Sequence, residues 1–555
     1  MSARVVMNAA RGFQGGFRQS MSWLHTWVGL VLSVVLYFMF ITGSAGYFNT
    51  EIDRWMQPEL PVAAAAKTTE LRMIEMGLEH LQQKMPQGKE WYVSLPNGRR
   101  DPYLSIYGMP QPGADGKEGK ALTENLDAAT GQPYPQARET GGGAALYAMH
   151  YALHYLPHDV AIYIVGIATM FMFVALITGI VVHKKIFADF FTFRPGKGQR
   201  SWLDAHNLTS VLALPFFVVI TYSGLVFYTY EYMPSVRAAT YGIGEEARKQ
   251  FAAEEGHGYS FYETKPVGQA VPLKPIAPLL AIAQARWGEG NIRSVSVVNA
   301  GDANARIEIN KLPYGDIHPR HESMWFDGVS GAVLFDNTPP TTGPETFSGV
   351  IIAIHEGHFA PTLLRWLYFA SGLTGAAMIA TGLLLWTAKR RRRLGANGTP
   401  DAGLRFIEHF NVGIITGLPI GIAAYFWANR LLPINLPARD EWEMHLLFGA
   451  WAAMLLHAAI RPTSRAWIEQ LTLATVLYGC LPILNAITTE IHLGRTLPAG
   501  DWVRAGFDLT LVVLAALFAC MLKITLRRQQ KIQTSLSTRQ DASSAGETLG
   551  DERTA

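Results

Sequence analysis

Histidine is the residue type with the most chemistry to offer in this chain. Two stretches carry it at close spacing: Met149-His150-Tyr151-Ala152-Leu153-His154-Tyr155-Leu156-Pro157-His158, and Ile354-His355-Glu356-Gly357-His358-Phe359-Ala360-Pro361. Each opens an apolar run, Val160 to Val182 and Leu363 to Trp386, with a Thr-Gly pair near the far end, Thr178-Gly179 and Thr381-Gly382. Two further runs open on Ser22-Trp23-Leu24-His25 and Ser201-Trp202-Leu203-Asp204-Ala205-His206. The chain therefore reads twice as apolar run, long polar insert, apolar run, which is an internal repeat. Polar groups at bilayer depth are costly unless paired, so histidines at the ends of such runs are binding candidates.

Two imidazoles facing each other from two helices at one depth can ligate the iron of a b-type haem, each with its second ring nitrogen held by a carbonyl or carboxylate. The repeat supplies such pairs. His25 corresponds to His206 near one membrane face, and aligning Pro157 with Pro361 matches His154 to His358 near the other. One haem on each pair is the expectation, about two haems b in all, with His183, His150 and His355 as alternative ligands. His409 and His457 on the first face and His445 on the second leave room for a third haem or a quinone pocket, with Glu408 and Arg461 as polar neighbours. A zinc or copper site is chemically open as well, since His150 and His154 stand at i, i+4 and His355 and His358 at i, i+3. His355-Glu356-Gly357-His358 is not the zincin motif, because its second histidine arrives one residue early.

The elements that must position these residues are membrane spans. Hydrophobic residues make up 49% of the 555, charged residues only 16%, and there are 14 tryptophans; this composition fits a membrane protein better than a set of soluble domains. At roughly 20 residues per span, about eight helices are expected, near 23 to 48, 159 to 182, 206 to 230, 363 to 387, 406 to 430, 442 to 461, 467 to 489 and 503 to 524. Lysine and arginine gather on one side of them: Arg4, Arg11 and Arg18, Lys184 to Arg200, Lys389 to Arg393, Arg461 and Arg465, and Lys523 to Arg528. That bias makes both termini cytoplasmic and makes the run Arg390 to Arg393 a headgroup anchor, not a nucleic-acid patch. The first run is too long for a signal peptide and reads as a retained helix. The two cysteines, Cys480 and Cys520, both fall in expected spans, so neither a disulfide framework nor a thiolate-held cluster is available.

Each insert carries helical spacing first, Glu70 to Met85 and Pro275 to Trp287, and extended pieces after it, Glu90 to Leu95 and Pro102 to Tyr107, then Ile292 to Val298 and Ala305 to Ile309. Each then reaches an Asp-to-Gly turn, Asp127 to Gly131 and Asp327 to Gly331, in which aspartate bonds its own backbone and glycine takes positive φ. These turns, with the duplicated spans and the histidines at their edges, resemble the PepSY domain and, from Trp23 to Arg393, the PepSY-associated transmembrane helix family that includes bacterial inner-membrane ferrisiderophore reductases. The resemblance implies an α-helical polytopic protein of the bacterial inner membrane with two α+β PepSY-like periplasmic domains. It implies haem-dependent electron transfer outward to a periplasmic ferric complex, a ferric siderophore, releasing Fe(II).

The expected divisions are 1–48 for the N-terminus and first span, 49–150 and 231–354 for the two inserts, 151–230 for spans two and three, and 355–393 for span four. A four-span region at 394–526 and a disordered cytoplasmic tail at 527–555 follow, the tail being polar with almost no large apolar residue. No dinucleotide fingerprint appears on the cytoplasmic side, so a separate cytoplasmic reductant or a quinol is the expected donor. The competing expectations are a non-enzymatic PepSY-type binding module on a membrane anchor, and a metal or solute permease.

Overall fold

The computed structural model describes residues 16–551 apart from 62–67, 100, 114–116, 118, 184, 255–263, 314–321, 338–342 and 395–397. Seven described helices are long and apolar enough to cross a membrane: Phe17–Gly46, His158–Val182, Thr362–Leu394, Ala402–Leu431, Arg439–Ile460, Thr463–Thr488 and Trp502–Lys531. The pair Gln199–Leu212 and Leu214–Phe227, bent by 65° where they meet, passes the same test only when taken together and is counted as one broken span. In chain order, with this pair third, they are spans 1 to 8. The bend falls just before Pro215, which has no N–H to give the preceding turn and whose ring crowds it.

Spans 1 to 4 close a ring. Span 1 packs on spans 2 and 4, the first half of span 3 packs on span 4, and its second half turns onto span 2 and the helix Gly343–Glu356. The bend thus lets one span serve both ends of the bundle. Spans 5 to 8 form a second bundle, with span 5 against span 4.

The two inserts do not make two separate sheets, as the sequence suggested. Their strands are β1 (Gly88–Ser94), β2 (Leu104–Pro110), β3 (Leu122–Leu126), β4 (Ile292–Val298), β5 (Arg306–Lys311), β6 (Ser323–Asp327) and β7 (Val333–Asn337). They form one antiparallel sheet ordered β3-β2-β1-β4-β5-β6-β7, joined where Trp91 pairs with Val297 and Val93 with Val295. Pairing β1 with β4 leaves neither strand with an unsatisfied edge. The helices Glu70–Lys84 and Ile276–Trp287 share one buried cluster on this sheet, with Ile74, Trp91, Val295, Leu280 and Phe326 inside it. Both Asp-to-Gly turns form. Asp127 Oδ1 accepts from the Ala129 and Thr130 amides at 2.8 and 2.9 Å, Asp327 Oδ1 accepts from Ser330 N at 2.8 Å, and Gly131 and Gly331 have φ of 72° and 79°. The Ala129 and Thr130 amides hold the Asp127 carboxyl below its ordinary range.

The last helix runs from Trp502 to Asp551, so it extends into the polar stretch read from the sequence as a tail. Extending an anchored helix avoids the cost of nucleation, and Gln, Lys, Arg and Ala favour its continuation.

A buried ionic network at the end of the bundles nearest the sheet fixes the second bundle to the first. Arg439 and Glu443 are both fully buried and paired. Glu443 also accepts from Thr140 Oγ1 at 2.6 Å and Asn429 Nδ2 at 2.8 Å, and Arg439 reaches the Glu139 carbonyl at 2.9 Å. Trp55 Nε1 donates to Asp508 at 2.8 Å beneath the Arg430 guanidinium, 3.7 Å above the Trp55 ring. Breaking a buried pair from one side leaves an uncompensated charge, worth about 3–5 kcal/mol. Arg439→Met is therefore expected to lower the thermal unfolding midpoint of the detergent-purified protein, while Arg439→Met with Glu443→Leu recovers most of the loss.

Candidate functional site: two facing imidazole pairs

Four histidines meet inside the first bundle as two pairs. His25 of span 1 faces His206 of span 3 with ring centroids 6.3 Å apart, near the arginine-rich face. His150, on the helix Gly142–Ala152, faces His355, on the helix Gly343–Glu356, at 6.1 Å, near the sheet. Gly43 follows His25 by about five turns of the unbroken span 1, so it lies on the same side of that span, about 27 Å further along the axis; Gly224 lies beyond the 65° bend of span 3 from His206. The two pairs therefore lie toward opposite ends of a hydrocarbon core about 30 Å thick.

One local device holds all four rings. His25 Nδ1 lies 2.9 Å from the Ala175 carbonyl, His206 Nδ1 2.9 Å from that of Met378 and His150 Nδ1 2.8 Å from that of Met39. His355 differs in reaching its carbonyl through a hydroxyl: its Nδ1 lies 2.8 Å from Ser223 Oγ, which itself donates to the Val219 and Ile220 carbonyls at 2.7 and 3.1 Å and so accepts from the ring. The carbonyls of Ala175, Met378, Met39 and Ile220 each precede a glycine by four residues: Gly179, Gly382, Gly43 and Gly224. In a helix that carbonyl already accepts from the glycine's amide, and the missing Cβ leaves its second lone pair open to an imidazole from a neighbouring helix. A Cβ at Gly43 would stand 2.6 Å from His150 Nδ1, and one at Gly179, Gly224 or Gly382 would stand 3.1–3.2 Å from the Cε1 of its histidine.

A carbonyl can only accept, so Nδ1 carries the proton and Nε2 keeps its lone pair. Among the described residues no hydrogen bond engages the Nε2 atoms of these four rings. Two metal–nitrogen bonds of ~2 Å each, with ~1 Å from nitrogen to ring centre on either side, put centroids roughly 6 Å apart, which is the spacing of both pairs. Among the described residues no three His, Cys, Asp or Glu side chains gather into a metal site. A bare zinc ion needs three or four protein ligands, whereas haem brings four nitrogens of its own and asks the protein for two. The residues present therefore fit haem.

The inner pair matches the sequence expectation for His25 and His206. The outer pair does not, for the rings that meet are His150 and His355, not His154 and His358. The helix carrying His150 ends at Leu153, in the left-handed region at φ 47°, and the helix carrying His355 ends at Gly357, φ 63°. Beyond those breaks the chain turns. His154 pairs with Glu441 at 3.3 Å and stacks on Phe448 of span 6 at 6.0 Å, and His358 Nδ1 lies 2.8 Å from Glu356. Aligning the prolines, which lie past the break, shifted the register by one residue in the helices before it.

The remaining histidines lie elsewhere. His183 caps span 2 within electrostatic reach of His206. His409 reaches the Ala458 carbonyl, and both nitrogens of His457 are engaged, by Glu469 at 2.9 Å and Gln470 at 3.2 Å. His445 stacks on Tyr155 and bonds its hydroxyl at 2.6 Å. No third facing pair forms among the described residues. The signal that marks the outer ligands is a repeat of the small pairs Thr42-Gly43, Thr178-Gly179, Ser223-Gly224 and Thr381-Gly382, one per span; only two of the four were singled out from the sequence.

The fold and these pairs define a polytopic helical membrane protein whose first bundle presents paired imidazoles. The chain belongs to the family described as the PepSY-associated TM region, whose model matches residues 22–389. It is also similar to an uncharacterised protein of Pseudomonas aeruginosa, with 25% identity over 375 residues, covering 65% of this chain and 89% of that one. The family match takes in all four histidines of the two pairs and stops before spans 5 to 8.

The glycine device is testable without any cofactor. Gly43→Ala is expected to push His150 from its place and cost about 1–3 kcal/mol by overpacking, read as a lower thermal midpoint. Gly29→Ala, which has open space around it, should leave that midpoint unchanged or raise it. Equal behaviour of the two variants would remove the close approach from the account.

Proposed function

We propose that this protein is a di-haem electron carrier of the bacterial cytoplasmic membrane that reduces a ferric complex, such as a ferric siderophore, on the side of the β-sheet and releases Fe(II). The observation that carries this reading is the fourfold use of one device. Three imidazoles have Nδ1 on a carbonyl four residues ahead of a glycine, the fourth reaches the matching carbonyl through Ser223 Oγ, and the rings face in pairs at about 6 Å. Four interfacial histidines with no common task would have no reason to share it. Haem, when bound, supplies a one-electron carrier at each level.

His25 and His206 would hold one haem and His150 and His355 the other. The carbonyl bond fixes each ring's tautomer and angle and raises its basicity toward iron. The ring of spans excludes water from between the pairs, and the arginine-rich face is assigned to the cytoplasm. Around the outer pair, Phe227 packs on His355 at 5.2 Å and the Tyr47 hydroxyl donates to the His355 carbonyl at 3.1 Å. These contacts hold the His355 helix against span 1 and leave the sheet domain to shape the approach of the iron complex.

The test is anaerobic. Dithionite-reduced protein, freed of excess dithionite and mixed with a ferric trihydroxamate and a ferrous chelator, is expected to form the ferrous chelate. His150→Ala and His355→Ala are each expected to lose about half the haem and most of this reduction, while His154→Ala and His358→Ala keep both. Haem loss in the second pair of variants and not the first would reverse the assignment of the outer ligands; protein without haem would favour the non-enzymatic membrane-anchored module.

A further inference from the structure

A cavity of about 1560 Å³ runs between the two bundles. It is larger than the pockets of roughly 300–1,000 Å³ that suit drug-sized molecules, and its walls are apolar along most of their length, with Leu384 of span 4, Trp467 of span 7 and Leu514 of span 8 among them. Toward the arginine-rich face it ends beside the ion pair of Arg391 and Glu408. One turn further in along span 5, Asn411 lines the cavity. This side chain is 2% exposed and its Nδ2 has no hydrogen-bond partner. A buried amide left unsatisfied costs about 1–3 kcal/mol, and although Nδ2 itself is not open to the cavity, a turn of the amide about its last bond would bring it to an acceptor there. The neighbouring polar groups are already engaged: Thr416 bonds Gln470 at 2.6 Å, and Tyr37 bonds the Ile415 carbonyl at 2.9 Å.

The cavity and the inner imidazole pair are two sides of one helix. Span 4 gives Thr381 to the cavity wall, and the adjoining Met378 and Gly382 seat His206. Only the thickness of a helix, about 10 Å, separates them. The described links on the arginine-rich face are short, residues 183–198 between spans 2 and 3 and 461–462 between spans 6 and 7. A donor dissolved in the bilayer can reach this level without any folded domain there.

We propose that the cavity is a quinol site, with the Asn411 amide donating to a ring oxygen near the arginine-rich face and the isoprenoid tail lying along the apolar wall. A phospholipid's ester carbonyls could also accept from this amide, but only a quinol has an electron to pass to the His25–His206 level one helix away, and its oxygens sit on a flat ring that follows its tail into the hydrocarbon. This inference rests on the di-haem reading for its direction. The quinol O–H bonds break, two protons leave at the mouth beside Glu408 and Arg391, and two electrons cross span 4 one at a time to the His25–His206 level. One quinol thus becomes one quinone as two ferric ions at the far face become ferrous.

The experiment uses the full chain in detergent with decylubiquinone as probe. Calorimetry is expected to find one saturable site per chain, weakened about tenfold in Asn411→Leu and abolished in Ala377→Trp, which fills the wall. Under anaerobic conditions decylubiquinol should reduce the haem of the unaltered protein and not that of Ala377→Trp, with dithionite reducing both. Haem that dithionite reduces in protein that neither binds decylubiquinone nor accepts electrons from decylubiquinol overturns the inference and leaves the di-haem reading intact. Quinone binding by protein that lacks haem has the opposite meaning: the site stands and the di-haem reading falls. Binding unaltered in both variants, or a phospholipid retained by the unaltered protein and lost from Ala377→Trp without quinone binding, also overturns it.

Discussion

The structure depends on a hydrogen bond that a glycine makes possible. A histidine inside a bilayer must satisfy its ring N–H with something that does not swell the bundle, and a helix carbonyl four residues ahead of a glycine is such an acceptor. The bond is neutral, local and dry. It fixes the proton on Nδ1 and so leaves the lone pair on Nε2. Spans 1 and 3 each carry a histidine at one end and a glycine at the other, so each span takes part at both levels. The 65° bend in span 3 lets its two halves lean on different neighbours and still keep both roles.

Around that core the remaining elements act as restraints. The shared sheet ties the two halves of the repeat together, since β1 and β4 come from different inserts. The second bundle is fastened by charge: Arg439, Glu443, Arg430 and Asp508 are buried, with Arg439 on Glu443 and the residue 139 carbonyl, Arg430 on Asn485 and the residue 55 carbonyl, and Asp508 accepting from the Trp55 and Asn485 side chains. Burying so many ions is expensive, and what it secures is a fixed orientation. A bundle attached only by apolar contact would find little preference among packings in lipid. The fixed orientation also keeps open the cavity between the bundles.

Much of this was legible in the sequence. Eight spans, the repeat, the helix-and-strand order of the inserts and both Asp-to-Gly turns follow from hydropathy, spacing and turn chemistry, because each is a local signal. The His25–His206 pair was legible from the shared Ser-Trp-Leu, once the two-residue insertion Asp204-Ala205 is allowed. The outer pair was not. The histidines there are crowded, and the helix breaks at Leu153 and Gly357, not at the prolines. In a helix a register error of one residue turns a side chain by about 100°. The joining of two inserts into one sheet was also out of reach, as strand pairing across about 200 residues leaves no local mark.

The most direct measurement is the haem content and iron ligation of the unaltered protein, by pyridine haemochrome assay and low-temperature electron paramagnetic resonance of the oxidised form. Two haems b per chain, both low-spin ferric as two imidazoles require, is the expected result. An absence of haem in protein made with ample supply, or a high-spin signal accounting for either centre, would contradict it.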